Sequence, residues 1–187
     1  MLIVTVDELK RYTHKTSRGN AVDSTEETAQ YEDALYWAQG SLWAYTHYSA
    51  RQTVTDEKHD ANSIIYPKHL PIVSVSEVKY SDSAMNSENY YTYERYIRVP
   101  SIDTRTPLAI ALSYVGGVSR DDVEPDSSTG LVDTSTVGYK YTVLVQAAIK
   151  QLAEWYLKNN INSQKNSADE IMIRDMIYKY LPQIILF

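Results

Sequence analysis

The chain has 187 residues and a net charge of −6, with 24 acidic against 18 basic side chains. That length suits one domain with a proper core, and the charge lacks the basic balance of a tight sequence-reading nucleic-acid binder. There is no cysteine, which excludes disulfides and thiolate metal sites, and no apolar run approaches the roughly 20 residues of a membrane span.

The opening stretch MLIVTVDELKRY is too short in apolar residues for a secretory signal, so the chain is expected to stay in the cytoplasm where it is made. Thr5-x-x-Glu8 has capping-box spacing and predicts a brief helix from about Val6 to Tyr12. Thr13 to Asp23, with Gly19-Asn20, reads as a loop. A second capping box, Ser24-x-x-Glu27, opens a longer helix over about 25–50, with Ala34, Leu35, Ala38, Leu42 and Tyr45 on one stripe. Its first turns carry Glu26, Glu27, Glu32 and Asp33, which suit the positive end of the helix dipole. Trp37 lies off the stripe and therefore meets either a second element or another molecule.

From Arg51 the pattern changes to short β-like runs. These are Gln52 to Thr55, Ser63 to Tyr66, the stretch from Leu70 into Tyr80, Tyr90 to Val99, and Pro107 to Val115. Asp56 to Asn62 and Ser81 to Asn89 read as polar turns. The run PLAIALSYV is the most buried in character, and Gly116-Gly117 ends it. Strands spaced this closely predict an antiparallel meander. Residues 118–139 carry a net −4 and read as a long surface loop or a locally ordered acidic insertion.

Tyr141 to Asn159 is the clearest amphipathic helix in the chain. Leu144, Ala147, Ala148, Leu152 and Trp155 fall at helical spacing, with Lys150, Glu154 and Lys158 opposite. It is expected to be the floor on which the earlier long helix and the small sheet pack. A third capping box, Ser167-x-x-Glu170, predicts a helix over about 168–180, stopped by Pro182 and followed by an apolar tail. The fold class is therefore α+β, mainly helical. The long N-terminal helix and the C-terminal helices pack with a small antiparallel sheet. Residues 1–160 form the core domain, and residues 161–187 form a C-terminal helix and tail.

Motifs for chemistry are absent. The sequence has no GxGxxG, GxxxxGK[ST], GxSxG or HExxH, so neither a catalytic residue, a metal site nor a cofactor is assigned. His14, His47, His59 and His69 have no metal-ligand spacing. Asp121, Asp122, Glu124 and Asp126 match no cation loop and read as a solvated acidic stretch. Tyrosine is unusually abundant, 17 against one phenylalanine, and suits either a thin core with hydroxyls at its edge or protein interfaces.

The order of parts resembles the head–tail connector (adaptor, head-completion) proteins of tailed bacteriophages. The resemblance covers roughly residues 5–160. It is carried by Leu70-Pro71-Ile72-Val73-Ser74-Val75, then Tyr90-Tyr91 to Ile97-Arg98-Val99-Pro100, then Ser113-Tyr114-Val115-Gly116-Gly117. A final helix has Ala148, Leu152 and Tyr156 in the family's spacing. The chain departs from the pattern at Val118, where Tyr or Phe is usual, and in the acidic stretch before the final helix.

The resemblance implies a non-enzymatic virion protein of the capsid–tail neck, assembled in the host cytoplasm. Such a protein forms a ring, commonly of about 12 subunits, under the portal. Its implied partners are the portal protein, tail or tail-tube (nozzle) proteins, further copies of itself, and DNA that passes through without sequence-specific binding; no membrane is involved. Ile177, Tyr180, Leu181, Ile184, Ile185, Leu186 and Phe187 are the expected portal-docking residues, unless the tail folds back on its own core. Trp37, Tyr90, Tyr91, Tyr93 and Tyr96 are the expected subunit-interface residues. Another neck or tail-completion protein is the nearest alternative. A small Tyr-rich ligand-binding module and an enzyme with an unrecognised site are the alternatives of other classes.

Overall fold

A computed structural model describes residues 2–16, 25–102, 106–159, 171 and 173–177 of the chain. The described elements include the helices α1 (Val6–Thr16), α2 (Thr25–Tyr45) and α3 (Val137–Asn159) and seven strands. The strands are β1 (Gln52–His59), β2 (Ile64–Ile65), β3 (Ile72–Tyr80), β4 (Ser83–Ala84), β5 (Tyr91–Thr92), β6 (Ile97–Arg98) and β7 (Ile110–Gly116). The fold is α+β. Two compact units divide it: Met1–Thr46 with Thr142–Phe187, and His47–Tyr141.

In the first unit, the capping box at Thr5 forms as its spacing requires. The Thr5 N–H donates to Glu8 Oε2 (2.7 Å) and the Glu8 N–H donates to Thr5 Oγ1 (3.3 Å). The apolar lead-in is anchored at both polar groups of Ile3. Its N–H donates to Gln39 Oε1 on α2 (2.9 Å), and its carbonyl accepts from Gln146 Nε2 on α3 (3.1 Å). Ile3, Val4 and Leu9 are buried, as is the α2 stripe of Ala34, Leu35, Ala38 and Leu42.

Helix α2 stops at Tyr45 rather than near residue 50. The Thr46 hydroxyl bonds back to the Leu42 carbonyl (2.7 Å), and the His47 carbonyl accepts from the Leu70 N–H (3.0 Å). Extended pairing of Tyr48 with Leu70 and of Ala50 with Val118 then competes with further helix. Helix α1 runs on to Thr16, past the predicted end at Tyr12 and into the predicted loop of Thr13 to Asp23, whose remaining residues, with Ser24, Ser167 and Glu170, lie outside the described residues.

Helix α3 begins at Val137, four positions before the predicted start, because Thr136 caps it. Thr136 Oγ1 accepts from the Tyr139 N–H (3.1 Å). Its buried stripe is Tyr141, Val145, Ala148, Ile149, Leu152 and Ala153. The predicted stripe is thus rotated: Ala147 is exposed and Leu144 only half-buried. The Glu154–Lys158 ion pair forms at 2.6 Å. Residues 171 and 173–177 are helical, with Ile173 and Ile177 buried.

The second unit holds two antiparallel sheets, of strand orders β1-β7-β3-β4 and β2-β6-β5. The antiparallel sense is that expected of closely spaced strands. The order departs from a simple meander, since β7 enters between β1 and β3 while only β3-β4 and β5-β6 are neighbours in sequence. The reason lies in composition: β7 is apolar on both faces, with Ile110, Ala111, Leu112 and Tyr114 buried, and takes the central place. Both sheets contribute to one core, including Ile65, Ile72, Val78, Ile97, Val99 and Leu112.

Two sequence expectations change here. Strand β1 runs on to His59, through the predicted turn, with a register shift between Val54 and Glu57 and Asp56 at φ 53°. The run Tyr90 to Val99 is not one strand. It folds into the hairpin β5–β6, closed by the Tyr93 N–H donating to the Tyr96 carbonyl (2.9 Å).

The glycine pair after β7 is required by close approach. A Cβ on Gly116 would lie 2.1 Å from the His69 carbonyl oxygen. Gly117 has φ +94°, and a Cβ there would lie 2.5 Å from the Ala50 oxygen. Around it the chain closes, with the Gly117 N–H on the Pro71 carbonyl (2.9 Å), the Val118 N–H on Ser49 (2.9 Å) and the Arg51 N–H on Val118 (2.8 Å).

Candidate functional site

The three-stranded sheet has two unlike faces, and register decides them. Residues opposite one another in an antiparallel ladder share a face. Ile65 pairs with Ile97, and both are buried in the core. Ile64 and Tyr91 both pair with Arg98, and all three are exposed. Stepping two residues along each strand adds Tyr66 and Tyr96 to that outer face. Their rings lie 6.0 Å apart, and Tyr96 stacks on Tyr93 at 4.5 Å. The result is an aromatic row, Tyr66–Tyr96–Tyr93, beside Ile64, Tyr91 and Arg98. Exposure of 43% at Tyr66, 54% at Tyr91 and 43% at Tyr93 leaves large ring surfaces in water.

The hairpin that carries this row is braced from behind. Glu94, in its turn, accepts from the Tyr141 hydroxyl (2.6 Å) and from Lys140 Nζ (3.2 Å). Its backbone carbonyl takes the Ile72 N–H (2.8 Å). The Tyr141 hydroxyl bond and the Lys140 charge outweigh partial burial and hold the Glu94 carboxyl below the ordinary range. Tyr141 in turn packs on Tyr48 at 5.6 Å.

A second polar cluster sits under the four-stranded sheet. Glu57 accepts from the Tyr114 hydroxyl (2.8 Å), the Lys68 N–H (3.1 Å) and His59 Nε2 (2.6 Å). Burial alone pushes this carboxyl up, but the bonds from His59, Tyr114 and Lys68 win and lower it. Burial and the bond to Glu57 push the Tyr114 hydroxyl up. The cluster is consumed by its own bonds. His69 Nδ1 lies 2.9 Å from Ser49 Oγ, yet the nearby acid Glu57 bonds His59 and Tyr114 rather than His69's ring, so no relay of the serine–histidine–acid kind is assembled.

The acidic segment before α3 is locally ordered. Ser119 caps a short 3₁₀ turn, Arg120–Val123, in a capping box with Asp122. Both carboxylate oxygens of Asp122 also accept from Arg51 Nη2 (2.8 and 2.7 Å). Glu124 pairs with Arg120 (2.7 Å), and Asp126 bonds the backbone of Ser128 and Thr129 and the Ser128 hydroxyl. With Asp121 accepting from the Ser119 hydroxyl (3.2 Å), each of the four carboxylates Asp121, Asp122, Glu124 and Asp126 has a local partner of its own. Among the described residues no group of three or more His, Asp or Glu is placed to hold a metal, and no helix is long and apolar enough to cross a membrane. His59 turns to Glu57, away from its neighbour Asp60, which accepts the Leu108 N–H (2.9 Å).

The predicted interface residues separate. Tyr91, Tyr93 and Tyr96 come together on the outer face, while Tyr90 packs partly buried against the core. Trp37 meets a second element of its own chain, with its ring 5.8 Å from Trp155 and 4.9 Å from Tyr156 on α3. Of the predicted docking residues, Ile177 is buried at 1% exposure. Tyr180, Leu181, Ile184, Ile185, Leu186 and Phe187 lie outside the described residues. Sequence reasoning missed Tyr66 and Arg98 as members of the face. The signal was the alternation Ile64-x-Tyr66 and Tyr96-x-Arg98, readable once β2 and β6 pair.

No family model matches the sequence, and no curated protein matches it. Among solved structures, the chain is similar to a chain of the virion of a native gene transfer agent particle. The TM-score is 0.50 at 13% identity, over 95% of this chain and 89% of that one. The two share a fold. A chain of the neck of an empty particle of this kind gives 0.46 at 12% identity, over 92% and 87%. One of the neck of a native particle gives 0.39 at 12% identity, over 86% and 93%.

Proposed function

We propose that this chain is a structural protein of a phage-like virion, a head–tail connector that forms a ring under the portal. In this reading the ring, of about 12 subunits, extends the DNA channel and presents the surface on which tail proteins dock. The observation that carries it is a fold shared with a virion chain over nearly the full length of both. The order of sequence motifs supports it independently, because the Ser113 to Gly117 motif corresponds to the glycine turn that closes the sheet on Pro71 and Ser49.

The chemistry is consistent with a conduit. A net charge of −6 disfavours sticking to phosphates, as DNA moving through a channel requires. The exposed aromatic row provides the amphipathic, stiff contact surface that subunit interfaces favour. No residue is assigned a catalytic role, and no cofactor is needed. Residues 1–160 serve as the connector core and residues 161–187 as the arm that docks on the portal. Because Ile177 is buried, that docking rests on Tyr180 and the apolar stretch Leu181 to Phe187.

The test is the native mass of the protein alone and mixed with the portal protein of the same particle. A complex with a fixed ratio of this chain to portal subunits is expected. A monomer that ignores the portal would overturn the connector reading. Deleting residues 182–187 is expected to abolish attachment while leaving the folded core intact. Unchanged attachment would remove the tail from the docking surface.

A further inference from the structure

In the second unit, most cations are already engaged. Arg51 pairs with Asp122, Lys58 with Asp82, Lys79 with Asp56 and Glu77, Arg120 with Glu124, and Lys140 with Glu94. Among the described residues, neither Arg98 nor Lys68 makes an ion pair, and both are exposed. Arg98 stands on the aromatic face, and Lys68 follows two residues after Tyr66. The face therefore asks for a partner that is apolar at its centre and anionic at its rim.

The same unit carries a segment of that chemistry. Residues 118–139 hold a net −4. Within them the Asp126 N–H donates to the Leu131 carbonyl (2.9 Å), which closes a loop over residues 126–131. Leu131 stands at its end, 72% exposed, with Asp133 exposed two residues on. Asp126 and Asp133 are locked in their own turns, with the Ser128 and Ser135 hydroxyls holding both carboxyls below the ordinary range. The knob is thus preorganised and stays anionic across the physiological range. Face and knob complement each other in charge and in apolar content, and they are different surfaces of one chain. Two unlike patches that fit between copies make a head-to-tail contact, the kind that closes into rings.

We infer that the occupant of the aromatic face is a second copy of this chain, whose acidic knob seats Leu131 on the Tyr66–Tyr96–Tyr93 row, with Asp126 and Asp133 on Arg98 and Lys68. This deepens the connector reading and rests on it only for closure of the contact into a ring. A single-stranded nucleic acid is the other class of ligand with matching stacking and charge. The overall charge of −6 and the presence of the complementary knob on the chain itself favour the second copy.

A charge-swap experiment decides it, by native mass and sedimentation with and without the portal protein. Arg98→Glu with Lys68→Glu makes the face anionic; Asp126→Lys with Asp133→Lys makes the knob cationic. Each variant alone is expected to lose self-association by about a hundredfold or more, since every contact then juxtaposes like charges. Mixing the two variants is expected to restore it, because the swapped pair and the native pair alternate around the ring.

Since Asp126→Lys also removes a turn, a second measurement leaves both carboxylates in place. The chain has no cysteine, so Ile64→Cys with Leu131→Cys under mild oxidation is expected to give a ladder of linked multimers, and a mixture of the two single variants only dimers. Assembly that survives both reversals, without cross-linking, would overturn the face assignment and leave the connector reading standing. A wild-type chain that stays monomeric with and without portal would overturn both. A wild-type monomer that instead binds a labelled single-stranded oligonucleotide through Arg98 and Lys68 would hand the face to nucleic acid and overturn the proposal.

Discussion

The tyrosines of this chain live in two opposite environments. Tyr48, Tyr114 and Tyr141 are 1–2% exposed, and the hydroxyls of Tyr114 and Tyr141 are tied to Glu57 and Glu94. Tyr66, Tyr91 and Tyr93 on the outer face of the three-stranded sheet keep around half of their surface in water, and Tyr66 and Tyr93 each set a ring beside Tyr96. The first group stabilises the fold by filling volume and by bonding the buried carboxylate of Glu57 and the half-buried one of Glu94. The second contributes little to folding and leaves rigid amphipathic surface for a partner. The two uses of tyrosine that composition alone left open are both present, separated by which face of a sheet the side chain leaves from.

That division predicts which changes break the molecule and which break only its assembly. The largest effect belongs to the closure behind β7. Gly116→Ala puts a methyl 2.1 Å from a backbone oxygen, which no side-chain movement relieves, so the segment at His69 and the end of β7 must part. A loss of about 3 kcal/mol or more is expected in denaturant unfolding. A Gly116→Ala chain with wild-type stability would show that the sheet tolerates separation there, and the glycine pair would lose its structural reading.

Next come the buried polar groups. Tyr114→Phe leaves a buried Glu57 oxygen and the His69 N–H without their partner, at a cost of about 1–3 kcal/mol. The Glu57 carboxyl also makes stability depend on pH. Its folded value lies below the ordinary 4.5, so the unfolded chain takes up the proton first as pH falls. The stabilisation is therefore full above that ordinary value and disappears as pH drops through the lower folded one. Glu57→Gln is expected to be less stable at neutral pH and to lose less than wild type on acidification through this window. Parallel pH profiles for the two chains would remove Glu57 as the source.

These cases also show what was legible in the sequence. The capping box at Thr5, the α2 stripe and the apolar β7 are written in local pattern, and each formed as read; the Gly116-Gly117 stop was also visible, although the close approach of His69 and Ala50 that requires it was not. Nor was the extension of β1. Asp56 to His59 looks like a polar turn until Tyr114 and the Lys68 N–H, distant in sequence, arrive to satisfy Glu57. The stripe of α3 was read slightly rotated, sharing Ala148 and Leu152 with the observed one, because the side that is buried also takes the Gln146 bond to the Ile3 carbonyl, a partner that local periodicity does not contain. Likewise, Tyr66 and Arg98 join the aromatic face only through the β2–β6 register.

The smallest effect on folding is expected where the effect on assembly is greatest, and this sharpens the contrast most. Tyr93 is 43% exposed and its main ring contact is Tyr96 at 4.5 Å. The hydrogen bond that closes its hairpin comes from the backbone N–H, so Tyr93→Ala retains the turn. An exposed ring pair of this kind contributes about 1 kcal/mol or less to stability. If the same ring is the centre of a contact between copies, its removal uncovers a hot spot and weakens association by about thirtyfold or more. Unfolding midpoint and native mass measured on one preparation separate the two quantities. A Tyr93→Ala chain that folds as well as wild type but no longer self-associates places the residue with the surface tyrosines. A chain that loses several kcal/mol of stability would place it with Tyr114 and Tyr141, and the line between the two groups would have to be redrawn.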